Sequence, residues 1–202
     1  MTKLYKLDGG LIFDEPSLNL KETVEKHGAN LKGARLEGTD LEGANLVNAY
    51  LVNADLLLAN LEGANLEGAN LTKSCLEGAN LEGTNLEGAN LVNARLARAD
   101  LTKANLMGAN LKVADLMRAY LVGANLMKAN LAGANLKGAD LYNANLEGAD
   151  LSGANLVNAR LARANLTKAN LMGADLEGAN LEGANLEGTN LTGTNLEGAN
   201  LV

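Results

Sequence analysis

The chain has 202 residues, 47% of them hydrophobic but only 2% aromatic, and a formal net charge of −7. One histidine, one cysteine, one proline and no tryptophan are a thin inventory for catalysis. A lone thiol excludes an intramolecular disulfide, no His/Cys spacing fits a metal centre, and no apolar run approaches the length of a membrane span. The sequence therefore points away from an enzyme, a cofactor protein and a membrane protein.

Residues 1–28 differ from everything after them and are expected to form an N-terminal cap. Leu4-Tyr5-Lys6-Leu7 and Leu11-Ile12-Phe13 flank Asp8-Gly9-Gly10, the pattern of a hairpin. After Pro16, Ser17 or Asn19 is placed to cap a short helix, and Asn19 with Glu22 has capping-box spacing. Leu20, Val24 and His27 then share one helix face, and Gly28 ends the helix. His27 reads as a surface histidine near a helix end. The N-terminus lacks the apolar core of a signal peptide, and with a single thiol the chain reads as cytoplasmic.

Residues 29–202 form the second domain. From Leu31 to Leu201 a leucine stands at every fifth position, 35 in all, usually within Ala-Asn/Asp-Leu-x-Gly. A five-residue step turns about 500° on an α-helix, so no leucine stripe forms. On a flat strand an odd period sends alternate leucines to opposite faces. Both conflicts vanish if the chain turns a corner in every pentad. Ala59 and Leu61 then point inward, Asn60 points outward, and Glu62-Gly63 make the bend. The place two before leucine is Ala in 30 of 35 pentads and otherwise Thr39, Ser74, Thr84, Thr189 or Thr194, as a narrow interior requires. The place two after is Gly in 20 of 34 cases and Asn in five, residues that tolerate the positive φ of a type II turn. The other nine corners, Val113 and Arg118 among them, are expected to use a different turn.

These frames resemble the pentapeptide repeat family over the whole of 31–201. The resemblance implies an all-β fold: a right-handed quadrilateral parallel β-helix with one pentad on each of its four sides, here nearly nine coils behind the small hairpin and helix cap. At about 4.8 Å per coil the rod is roughly 40 Å long. Some relatives, the quinolone-resistance pentapeptide proteins, are similar in shape and charge to duplex DNA and bind DNA gyrase, a type II topoisomerase.

Charge is banded along the rod. Residues 30–90 carry nine acids and three bases, 91–170 five acids and ten bases, and 171–202 five acids and no base. Arg95, Arg98, Lys103, Lys112, Arg118, Lys128 and Lys137 interrupt any continuous anionic track of the kind a DNA mimic needs. Acids interleave with these bases and aromatics are scarce, which argues against direct nucleic-acid binding. Counted by residue number modulo 20, the side of Leu41, Leu61 and Leu81 is the most acidic. Leu91–Asn110 and Leu156–Asp175 agree at 18 of 20 positions, an internal duplication offset by thirteen pentads.

Two clusters break the polar surface and are candidate protein contacts: Val47, Tyr50, Val52, Leu57 and Leu58 around one coil, and Tyr120, Val122, Tyr142, Arg160 and Arg163 on one side over three coils. Cys75 occupies an outward slot and reads as a tolerated surface thiol. The final coil stops in mid-repeat, so Leu186, Leu191, Leu196, Leu201 and Val202 are candidates for an end-to-end homodimer. The expected function is a non-catalytic scaffold or protein-interaction module, with a DNA-mimic ligand of gyrase as the alternative.

Overall fold

A side of only one pentad leaves no slack in its hydrogen bonding, and the pentad 60–64 shows how the slack is removed. Ala64 N–H donates to the Leu61 carbonyl at 2.9 Å, closing a turn whose third residue, Gly63, has φ 61°. Leu61 and Gly63 N–H donate upward to the carbonyls of Asn80 and Glu82, while Asn60 N–H donates downward to Thr39. The fifth N–H, on Glu62, donates to the side-chain Oδ1 of Asn60 at 3.2 Å. Every backbone donor of the pentad is thereby satisfied.

The computed structural model describes residues 2–15, 19–27 and 30–202. Parallel bridges join each outward residue to its counterpart four pentads on, as in Asp40↔Asn60 and Asn60↔Asn80. Four such columns begin at Arg35, Asp40, Asn45 and Tyr50, which fixes a four-sided coil with one pentad per side. Each bridge is isolated, so a side holds a single bridged residue, less than the short extended stretch the repeat suggests. The reason is arithmetic: the turn consumes Leu-x-Gly-Ala and leaves one residue for pairing.

Inside the coils, the leucines from Leu31 to Leu181 are at most 2% exposed, and alanines fill the space between them. Where a hydroxyl replaces Ala it finds a carbonyl: Ser74 Oγ donates to Leu71 at 2.7 Å and Thr84 Oγ1 to Leu61 at 2.8 Å. No described buried side-chain N or O lacks a partner.

The corners overturn one expectation. All corners take positive φ, the nine without Gly or Asn included: Val113 stands at 57°, Arg118 at 55° and Lys73 at 58°. A different turn there would misdirect the N–H that must reach the next coil, such as Val113 N–H to Ala132 at 3.0 Å. Ladder closure wins over the residue's own preference, at roughly 1–2 kcal/mol for each non-glycine left-handed residue.

At the N-terminus the hairpin forms from β1 (Thr2–Tyr5) and β2 (Leu11–Glu15), antiparallel, with Gly9 at φ 86° in the turn. It docks on the first coil through Arg35 N–H to Tyr5 carbonyl and Leu7 N–H to Gly33 carbonyl, both 2.9 Å. Helix α1 (Leu20–His27) opens on a complete capping box: Glu22 N–H to Asn19 Oδ1 and Asn19 N–H to Glu22 Oε2, each 2.9 Å. Asn19 is thus the cap; Pro16, Ser17 and the expected stop at Gly28 lie outside the described residues. Val24 is fully buried, Leu20 packs partly on the core, and His27 stacks on Phe13 with ring centroids 3.8 Å apart. Glu25 accepts the Asn45 N–H of the first coil at 2.9 Å, so a carboxylate covers part of the open edge.

Leu111→Ala, in mid-rod, is expected to cost about 2–5 kcal/mol in chemical denaturation, while exposed Glu62→Ala leaves the midpoint unchanged. The two corner types should respond oppositely in melting experiments. Val113→Gly relieves a strained φ and stabilises by about 1 kcal/mol, whereas Gly63→Val imposes one and destabilises by roughly 1–2 kcal/mol.

Candidate functional site

The outward slot before each leucine carries the rod's surface chemistry and also part of its fold. From Asp40 to Asn200, every Asn or Asp in that slot accepts the N–H two residues on through its Oδ1. These Asx turns lock the corner. Periodicity predicts only that the slot faces outward; the preference for Asn or Asp over other polar residues is the signal in the sequence for the turn. Tyr50, Cys75, Arg95, Tyr120 and Arg160 cannot supply that acceptor. Each forgoes a bond worth about 0.5–1.5 kcal/mol, so these positions are where the surface departs from what folding favours.

Tyr120 is the most exposed tyrosine, at 53%. It stands in the column Asp100–Tyr120–Asp140–Arg160. Arg160 donates to Asp140 Oδ2 at 2.7 Å, and Arg118 at the adjoining corner lies over Gly138. Together Arg118, Tyr120, Asp140 and Arg160 line an open groove of about 300 Å³. The Arg163 guanidinium sits 5.8 Å from the Tyr142 ring centroid, a cation–π contact at the next corner. Val122 and Tyr142 are half-buried there. The structure therefore brings the second predicted cluster together as one basic, aromatic patch.

The first predicted cluster does not share a face. Val47, Val52 and Leu57 follow leucines on three successive sides, so they circle the coil and look in different directions. Val47 (41%), Tyr50 (38%) and Leu58 (64%) are exposed, while Val52 and Leu57 are half-buried. Cys75 is half-buried in a groove of about 530 Å³ between Leu7 of the cap, Asp55 and the Arg95–Glu77 ion pair. In the last coil Leu191 and Leu201 are 36% and 50% exposed and Val202 is 97% exposed; Leu186 and Leu196 are half-buried.

Among the described residues no three His, Cys, Asp or Glu side chains gather at metal-binding distance, and no helix is long and apolar enough to cross a membrane.

The geometry defines a four-sided solenoid with one pentad per side, and the chain belongs to the pentapeptide repeat family. The family model, pentapeptide repeats, matches 27–56, 58–88, 74–112, 114–153, 144–183 and 169–202. Among solved structures it is similar to HetL of the cyanobacterium Nostoc sp. strain PCC 7120, a pentapeptide repeat protein involved in heterocyst differentiation regulation. That match has 31% identity, covers 90% of this chain and 96% of HetL, and has a TM-score of 0.46. A thylakoid-lumen pentapeptide repeat protein of Arabidopsis thaliana is 42% identical over 45% of this chain and 63% of its own, with a TM-score of 0.44. QnrB1, a plasmid-mediated fluoroquinolone resistance protein, shares the fold at TM-score 0.59 and 21% identity, covering 82% of this chain and 76% of that one. Curated protein sequences give no match.

Tyr120→Asn is expected to restore the Asx bond to Val122 N–H and raise stability by about 0.5–1.5 kcal/mol in urea melts. An unchanged or lowered midpoint would show that the slot's polar preference has another origin.

Proposed function

We propose that this protein is a non-catalytic scaffold whose work is to present rigid side faces to a protein partner, with the Tyr120–Arg160 patch as its principal contact. The observation that carries this reading is Tyr120 itself, a large exposed aromatic in a slot where Asn would stabilise the fold. It is flanked by Arg118 and Arg160, and Tyr and Arg are the residue types that dominate contact energetics. A convex rod whose grooves lie open to solvent supports binding over catalysis. The family resemblance implies a right-handed winding, and the unpaired thiol supports a cytoplasmic setting, although one similar protein works in a thylakoid lumen.

The apolar rim of the last coil supports a second contact. Leu191, Leu201 and Val202 are exposed, and end-to-end pairing with another copy would cover them together with Leu186 and Leu196. Acidic neighbours Glu182, Glu187 and Glu197 oppose such a joint, so it should tighten as salt screens them.

The test is capture from the native host with the parent protein and with Tyr120→Ala and Arg160→Ala, alongside a gyrase supercoiling assay. A partner retained by the parent and lost at least tenfold by both variants supports the reading. Capture indifferent to both variants, or gyrase inhibition that survives them, would overturn it.

A further inference from the structure

The side centred on the Asp40 column is divided by charge in a way that no count over the whole side reveals. Its outward residues and their flanking corners form successive tiers at Asp40, Asn60, Asn80, Asp100, Tyr120, Asp140, Arg160, Asn180 and Asn200. The first three tiers, 37–43, 57–63 and 77–83, hold Glu37, Asp40, Glu42, Glu62, Glu77 and Glu82 and no base. The next four, 97–103, 117–123, 137–143 and 157–163, hold six bases against Asp100 and Asp140. One face thus carries a band of −6 beside a band of +4, and beyond these the tiers of Asn180 and Asn200 add Glu177, Glu182 and Glu197 and no base. The side is thus acidic at both ends, near the cap, where Lys21 reaches its rim and bonds to the Glu42 carbonyl, and at Glu177, Glu182 and Glu197 of the last coils, with the basic band between them.

We propose that this face is self-complementary, and that two copies of the chain associate side by side and antiparallel through it. A twofold axis lying in the interface, at right angles to both rods and between the Asn80 and Asp100 tiers, keeps each corner column opposite itself and reverses the order of tiers. Glu37 then meets Lys137 of the second copy, Glu77 meets Arg98 and Glu82 meets Lys103. At the apolar corner Leu57 falls opposite Met117, and Leu58, 64% exposed, falls opposite Arg118. Asp40 falls opposite Asp140, whose carboxylate is already held by Arg160 at 2.7 Å. Within one chain Glu82 and Lys103 pair at 3.4 Å, both well exposed, so across the axis they complete an alternating quartet. Parallel rods would set acid against acid, and sliding the antiparallel pair by one tier would set either Arg98 and Lys103 or Glu77 and Glu82 against their own copies.

Six tiers span about 25–30 Å, and a side is about 10–15 Å wide, so each copy buries a few hundred Å². That is the range of weak, transient complexes, and charge rather than area must carry the specificity. The dimer is therefore expected to be reversible and to fall apart with salt, opposite in sign to the end-to-end joint. A copy seated here also competes with any other partner of Tyr120.

Sedimentation of the full chain at about 0.02 M and about 0.5 M salt tests this, since screening lengths fall severalfold between them. A dimer at low salt whose dissociation constant rises at least tenfold at high salt is expected. Two triple variants, all at surface positions, provide the control: Glu37→Lys/Glu77→Lys/Glu82→Lys, and Arg98→Glu/Lys103→Glu/Lys137→Glu. Each alone should be monomeric at low salt, and an equimolar mixture should recover a heterodimer. A concentration-independent monomer at low salt, low-salt association that both triple variants retain, or a mixture that stays monomeric would each overturn the proposal.

Discussion

The rod depends on one hydrogen bond that the backbone cannot make for itself. Four of the five N–H groups in a pentad reach carbonyls of the same turn or of a neighbouring coil, as residues 60, 61, 63 and 64 show. The fifth, just after leucine, points along the surface and takes the side-chain oxygen of the preceding Asn or Asp, as Glu62 takes Asn60 at 3.2 Å. The same side chains also link coils, since Asn105 Nδ2 donates to Asn85 Oδ1 and Asn125 Nδ2 to Asn105 Oδ1, each at 3.1 Å. A short amide thus serves the turn and the stack at once. Glutamine is too long for the first role, and serine too short for the second.

Strain at the corners is the counterpart of that economy. Stacked coils share one backbone path, so a corner cannot choose its turn independently of those above and below. Leu58, Val113 and Arg118 are held at φ 55–57° by the same bonds that hold Gly63 at 61°. The side chains that bear the strain also crowd the next coil. A Cβ on Gly78 would stand 2.8 Å from Leu58 Cδ2, and one on Gly68 would collide with Asn48 Oδ1. Glycine above Leu58 and above Asn48 thus relieves crowding at those two corners, whereas Asn53, Lys73, Asn93 and Val113 stack four larger corners in succession, so the constraint is set by each pair of side chains and not by a fixed alternation.

Much of this architecture was legible from five-residue periodicity, because period and burial are coupled: the leucine and alanine slots could face only inward. The Asn19–Glu22 cap was legible for a similar reason, its chemistry being local. The corner conformation at Val113 was not, because local preference predicts one turn and ladder closure around a whole coil imposes another. The failure of Val47, Val52 and Leu57 to share a face has the same root. Neighbours in sequence lie on different sides of the square, while neighbours on a face are one full coil apart. The acidic and basic bands of the Asp40 side needed both flanking corner columns in view, and a pentad-by-pentad count splits those between sides.

The internal duplication shows what such a surface tolerates. Its offset of thirteen pentads moves the copy one side around, so Arg95 falls in the Arg35 column and pairs with Glu77, while its counterpart Arg160 falls in the Asp40 column and pairs with Asp140. The same inserted residue finds a different acid, each at 2.7 Å, because outward carboxylates are common and exposed pairs ask little of geometry. Departures from Asn or Asp are nonetheless uneven. Arg35, Cys75 and Arg95 lie in one column and Tyr120 and Arg160 in the next, Tyr50 stands alone in the fourth, and the column from Asn45 to Asn185 is asparagine throughout. Two adjacent sides have thus taken nearly all the losses of Asx bonds and one has taken none. Six departures falling three, two, one and none over four columns are what free placement commonly produces, and Arg95 and Arg160 are copies of one insertion. The uneven columns therefore follow from repeat expansion and do not by themselves give the rod a front.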